Sequence, residues 1–243
     1  MKPTDTLSQV VDLTLLSNFL HQVINPLNGV CGTIDNITSG EVSPGNVNRR
    51  LRASRAQLEH CVSLIRNLAF FSEFARDQEA YREQHKGKTC VMPRIIIEAM
   101  MFFQESARWK NMKIHLVDQN TQYKIEADPD LIRQIFMNLL DNAVKYGERN
   151  TDIVVKCTIP KKSTELIIEV AGRSPLIPES LWETIFEAGY RGESARQIVA
   201  SGTGLGLYIC RLIADVYHGS IKYELRGNPP LSTFVLRFPK ASV

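Results

Sequence analysis

No Cys-x-x-Cys pair occurs in the chain, and its five cysteines, Cys31, Cys61, Cys90, Cys157 and Cys210, are odd in number and far apart. That pattern excludes a zinc ribbon, argues against a disulfide framework and suits reduced thiols in the cytoplasm. An excess of charge is missing too: the net charge is +3, and among the basic residues only Arg49, Arg50, Arg52 and Arg55 cluster. Such a cluster reads as a solvated helix start, so nucleic acid is not an expected partner. Nor is there a long apolar run. Residues 13–34 contain no Asp, Glu, Lys or Arg, but Ser17, Asn18, His21, Gln22, Asn25, Pro26 and Asn28 interrupt them, so no membrane insertion is expected. The first residues lack the basic region, apolar core and small-residue cleavage site of an export signal, and a cytoplasmic location is expected. What is present, 44% hydrophobic and 23% charged residues in 243, suffices for one large or two ordinary domains.

The interrupted segment is ordered in a different way. Leu13, Leu16, Leu20, Val23, Leu27, Val30, Ile34 and Ile37 are spaced alternately three and four apart, a heptad seam. After a break at 39–46 rich in turn residues, Leu51, Ser54, Leu58, Cys61, Ile65, Leu68, Ser72 and Ala75 repeat the alternation. Two antiparallel helices are predicted. A lone hairpin buries too little apolar area, so two chains are expected to pair their hairpins into a dimeric four-helix bundle over residues 1–84.

His21 follows the seam position Leu20, which puts its ring at the flank of the bundle. Gln22 is next to it, Asn25 lies one turn on, and Pro26 removes the helical bond to the Gln22 carbonyl. A histidine so placed is either a surface residue satisfied by its surroundings or a group open to a partner.

From 85 onwards β-rich runs at 113–117, 153–159, 166–170, 220–224 and 233–238 alternate with helical patterns at 93–109, 129–146 and 205–217, which predicts an α/β sandwich. In the middle helix, spacings of four and three put Asn138, Asn142 and Lys145 on one polar face, and Ile132, Ile135, Leu139 and Ala143 on a packing face. Amide oxygens are hard ligands suited to Mg²⁺, and a lysine beside them neutralises phosphate charge. The last helix opens with Gly202-Thr203-Gly204-Leu205-Gly206-Leu207, whose bare backbone is able to close around phosphate oxygens at a helix N-terminus.

Taken together these motifs resemble sensor histidine kinases. His21-Gln22-Val23-Ile24-Asn25-Pro26-Leu27 is similar to the phospho-accepting motif; 138–147 resembles the asparagine box, 185–191 the phenylalanine box and 201–207 the second glycine box of the GHKL-type ATP-binding domain. The resemblance implies ATP and Mg²⁺ as cofactors. It makes Asn142 the metal ligand, puts Asn138, Lys145 and Tyr146 with the nucleotide, and turns 189–201 into a lid with Arg191 near the phosphates. Gly202, Thr203, Gly204, Leu205 and Gly206 form the phosphate cradle, in a catalytic domain spanning 85–243. In that family an acid follows the histidine and takes a proton from its ring, and Asn25 stands where the residue that orients water is found. Gln22 accepts a hydrogen bond but cannot take the imidazolium charge.

One motif departs from the pattern. Where the family has Asp-x-Gly-x-Gly-Ile-Pro, this chain has Gly172-Arg173-Ser174-Pro175-Leu176-Ile177-Pro178, so the adenine-reading carboxylate and both glycines are replaced. Two functions are therefore expected from different classes. The first is a two-component kinase core that autophosphorylates on His21, passes phosphate to the receiver domain of a response regulator and also serves as its phosphatase. The alternative is a non-catalytic phosphotransfer or docking protein whose ATPase half binds no ATP. No sensor segment precedes the first helix, so input is expected from a separate subunit.

Overall fold

A computed structural model of the chain describes residues 13–84, 88–198 and 203–241. Packing divides the described residues into two units, the first ending its main run at Arg76 and the second beginning at Asp77.

The first unit is a helical hairpin, α1 (Leu13–Thr38) and α2 (Pro44–Arg76), turning at Gly40, whose φ is +80°. Its antiparallel register is fixed by Cys61, whose thiol donates to the Val23 carbonyl at 3.6 Å, and by the Gln57 amide lying over Gly29. The heptad seam divides into two stripes. Val30, Ser54 and Cys61 are buried, whereas Leu20, Leu27 and Ile34 of α1 and Leu51, Leu58 and Ile65 of α2 are exposed, Leu20 at 49% and Ile65 at 52%. One seam position per heptad faces the neighbouring helix and the other faces away. Phe19, Leu64, Phe70, Phe71 and Phe74, which lie off the seam, are buried as well. The helix runs through Pro26 without a break.

The second unit begins with α3 (Gln78–Gln84), then β1 (Lys88–Val91), α4 (Met92–Trp109), β2 (Lys113–Leu116), β3 (Lys124–Ala127) and α5 (Pro129–Tyr146). It continues through β4 (Asp152–Thr158), β5 (Glu165–Gly172), α6 (Glu193–Ile198), α7 (Gly206–Val216), β6 (Ser220–Arg226) and β7 (Leu231–Pro239). Strands β2-β4-β5-β7-β6 form one sheet, parallel between β2 and β4 and otherwise antiparallel, while β1 and β3 pair in a separate ribbon. Alternation along β4 and β5 sends Ile153, Val155, Cys157, Leu166, Ile168 and Val170 into the core. The middle helix starts where the sequence puts it, with Pro129 in its first turn and the Asp128 carboxylate accepting from Asp130 N at 2.8 Å. Its buried arc is wider than expected. Phe136, Leu140 and Val144 are buried along with Ile132, Ile135 and Leu139, each contributing about 1.5–3 kcal/mol of apolar burial, whereas Ala143 is only half-buried.

Candidate functional site

The site of the second unit is built on the seam between α5 and α7. Asn138, expected on the open polar face of α5, is 7% exposed, and its Nδ2 donates to the Gly206 carbonyl at 3.2 Å. One turn along α7, the Cys210 thiol donates to Ile135 O at 3.7 Å; burial pushes it up to about 12, which leaves it a packing group and not a nucleophile. Asn142 is half-buried one turn after Asn138, and Lys145 forms an ion pair with Asp141 on the same helix. Tyr146 ends the helix, and Lys110, from the end of α4, donates its Nζ to the carbonyls of Lys145 at 2.6 Å and Gly147 at 3.3 Å. An ammonium on the last carbonyls of a helix is favoured by the dipole, and burial, then nearby Arg149, lowers the Lys110 pKa. Gly147 has no room for a side chain, since a Cβ there would lie 2.3 Å from Ala143 O and 2.5 Å from Met112 Cε.

At the mouth of α7 two glycines meet. Gly189 and Gly204 take φ of +77° and +68°, and Gly189 N donates to Gly204 O at 3.2 Å. A Cβ on Gly204 would come within 2.5–2.7 Å of the Gly189 and Tyr190 backbone. Leu205, the N-cap, is buried and offers no side-chain acceptor to the first N–H groups of α7, where dipole and bare backbone favour an anion. Thr203 and Arg191 are half-buried; Gly202 lies outside the described residues. The expected lid contains a helical turn of its own, α6.

The divergent loop after β5 is tied down at several points. Arg173 O accepts from Glu148 N at 2.9 Å, Ile177 N donates to Tyr223 Oη at 3.4 Å, and Trp182 Nε1 donates to Ile177 O at 2.9 Å. The Tyr223 hydroxyl also hydrogen-bonds Ser232 Oγ at 2.8 Å, and Ser232 pairs with Gly172 across the sheet. None of residues 173–178 takes a positive φ, consistent with the replacement of both glycines. Leu176 is 50% exposed. In the hairpin, His21 and Asn25 are exposed on α1, with Gln22 and Pro26 half-buried beside them.

Residues 127–242 match the model of the histidine kinase-, DNA gyrase B-, and HSP90-like ATPase family. A nucleotide-free catalytic domain of histidine kinase ThkA is 30% identical, with a TM-score of 0.54, over 64% of this chain and 96% of that one. The chain belongs to this ATPase family. It is also homologous to named sensor kinases: it is 27% identical over 218 residues to the adaptive-response sensory kinase SasA of Synechocystis sp., covering 87% of this chain and 55% of that protein. The sensor protein SrrB of Staphylococcus aureus is 35% identical over 115 residues, 46% of this chain and 19% of that protein. The chain thus spans about half the length of the first relative and less of the second. Histidine kinase ThkA in complex with response regulator protein TrrA, 22% identical with a TM-score of 0.58, shares its fold over 98% of this chain and 64% of that one.

Within this ATPase fold, sequence reasoning missed Lys110 and Arg211, which act on groups brought to them by the fold: the Lys145 and Gly147 carbonyls for Lys110, and the Phe186 ring, whose centroid lies 4.6 Å from Arg211 Cζ, for Arg211. The glycine pair allows a direct test. Gly204→Ala should destabilise the protein by at least about 1–3 kcal/mol, since it forces an alanine into left-handed backbone and against the Gly189 carbonyl. Gly172→Ala, whose Cβ would have no neighbour closer than 3.7 Å, should be neutral or stabilising by about 0.4–1 kcal/mol. Denaturant unfolding of both variants checks this, and equal losses would refute it.

Proposed function

We propose that the chain is the core of a two-component histidine kinase that binds Mg-ATP between α5 and α7 and phosphorylates His21. The observation that carries this reading is the Asn138–Gly206 hydrogen bond, which brings the Asn142 and Lys145 face of α5 alongside the glycine-flanked mouth of α7. The phosphate end of the site suits a triphosphate: the mouth of α7 has no side-chain cap on its first N–H groups, Lys145 supplies a cation and Asn142 an amide oxygen for Mg²⁺. When bound, the metal neutralises charge on the phosphates. The base end lacks the usual carboxylate, as Gly172 stands in its place.

In the reaction, a ring nitrogen of His21 attacks the γ-phosphorus; an N–P bond forms, the bond to the ADP oxygen breaks, and the imidazolium so formed releases its remaining ring proton to water. Gln22 orients the ring by accepting its other N–H. Asn25, one turn on and exposed, orients water when the aspartyl phosphate of a receiver domain is hydrolysed. A response-regulator partner is supported by the ThkA structure, in which that kinase is bound to TrrA. Arg191, Gly202, Thr203, Leu205 and Gly206 complete the phosphate contacts, with Tyr146 beside the nucleotide. Asn138 then serves by holding α7.

Homodimerisation through the hairpin is supported by the exposed stripe Leu20, Leu27, Ile34, Leu51, Leu58 and Ile65, a heptad face that a second copy would bury. Leu20→Asp or Ile65→Asp should convert a dimer into a monomer of 27.5 kDa by light scattering, because the seam tolerates no unpaired charge. A monomeric parent at every concentration would refute the dimer. No helix among the described residues is long and apolar enough to cross a membrane, and a cytoplasmic site of action is supported by five free cysteines.

The test of the kinase reading is incubation with γ-labelled ATP and Mg²⁺. Acid-labile, alkali-stable label on the chain is expected; no label, with no nucleotide bound in calorimetry, would favour the non-catalytic docking protein, a reading supported by the fixed loop at 173–178.

A further inference from the structure

Phe186, at the end of a 3₁₀ turn (Thr184–Phe186), is 1% exposed and held from two directions. Phe234 of β7 meets it edge-on, with ring centroids 6.4 Å apart, and the Arg211 guanidinium of α7 lies over its other aspect, with Cζ 4.6 Å from the ring centroid. The same guanidinium donates Nη2 to Glu183 Oε2 at 2.6 Å. Arg211 therefore grips the turn at two points. Three residues after Phe186, Gly189 N bonds to Gly204 O, and Arg211 stands two helical turns beyond Gly204 on α7. A side-chain clasp and a backbone bond thus join the same two segments.

We infer that Arg211 is a positioning residue: by holding Phe186 against α7 it keeps Gly189 and Gly204 in bond and so fixes the backbone at the mouth of α7. Its effect on nucleotide runs through Phe186 and Gly189, and this part rests on the function proposed above. The two grips are unequal. The Glu183 side chain is 78% exposed, so its ion pair is screened by water, whereas the ring contact is buried. A cation over a desolvated aromatic face is the stronger hold, and lysine retains part of it because its ammonium is also attracted to the ring.

The experiment compares R211M, R211K and E183Q with the parent as full chains. Amide hydrogen exchange without nucleotide reads peptides covering 184–191, and a fluorescent ATP analogue with Mg²⁺ reads affinity. R211M is expected to speed exchange at 187–191 about 10-fold while leaving β5 and α5 at parental rates, and to weaken the analogue about 5- to 10-fold. R211K should recover to within about 3-fold of the parent and E183Q should stay within about 2-fold on both readings. Unchanged exchange in R211M, a rise spread equally over β5 and α5, or an R211K no better than R211M overturns the inference. A parent that binds no analogue but shows the exchange pattern overturns the functional reading instead and leaves the clasp standing.

Discussion

Changing His21 to alanine is expected to reduce phosphorylation of the chain to background with either donor, labelled ATP or a phosphorylated receiver domain. The fold should not suffer. The position is exposed on α1, and alanine has the higher helix propensity, so stability should stay level or rise by about 0.5 kcal/mol. Loss of label with an unchanged unfolding curve therefore reports chemistry. The other four histidines, His60, His85, His115 and His218, lack the neighbouring Gln-x-x-Asn-Pro and should carry no label. Asn25→Ala, by contrast, should slow dephosphorylation of the receiver more than its phosphorylation, because a group that orients water serves hydrolysis alone. If His21→Ala labels as strongly as the parent, the motif has been misread.

How much of this was legible beforehand differs between elements. Helix α5 was readable to the residue at both ends, because Asp128 and Pro129 open it and Gly147 closes it, and each acts on the backbone next to it. What Asn138 does was not readable. Periodicity says which residues share a face, but the Gly206 carbonyl opposite lies 68 residues on, and only the fold brings it there. The heptad seam shows the same limit: spacing found Leu20 and Val30 together, yet one is exposed and the other buried, since the hairpin alone covers half of the seam. Lys110 and Arg211 left no signal at all, being ordinary basic residues, one just past the end of α4 and one in the middle of α7, whose partners, two carbonyls and one aromatic ring, are tertiary. The short strands β1 and β3 pair with each other in a ribbon apart from the main sheet, a match between distant segments that no local pattern announces.

Restoring the missing carboxylate is expected to change which nucleotide the protein prefers. With Gly172 at the base end the parent should bind ATP modestly and hardly distinguish it from GTP, since a bridging water replaces the carboxylate only in part. The backbone is ready for the change. Gly172 ends β5 in register with Ser232, its φ is not positive, and a Cβ there would sit 3.7 Å from Ile153 Cγ1 and 3.8 Å from Asp152 O, ordinary contacts. Leu176→Gly loses little packing because Leu176 is half exposed, and it returns backbone freedom to a loop pinned at Ile177 by Tyr223 and Trp182. A carboxylate accepting from the adenine amino group contributes about 1.5–3 kcal/mol, so Gly172→Asp with Leu176→Gly should tighten ATP by roughly 10- to 150-fold and leave GTP unimproved. Calorimetry with both nucleotides on parent and double variant is the measurement. Binding by neither protein would favour the docking role, whereas tight, ATP-selective binding by the parent would mean that a residue other than the one at 172 reads the base.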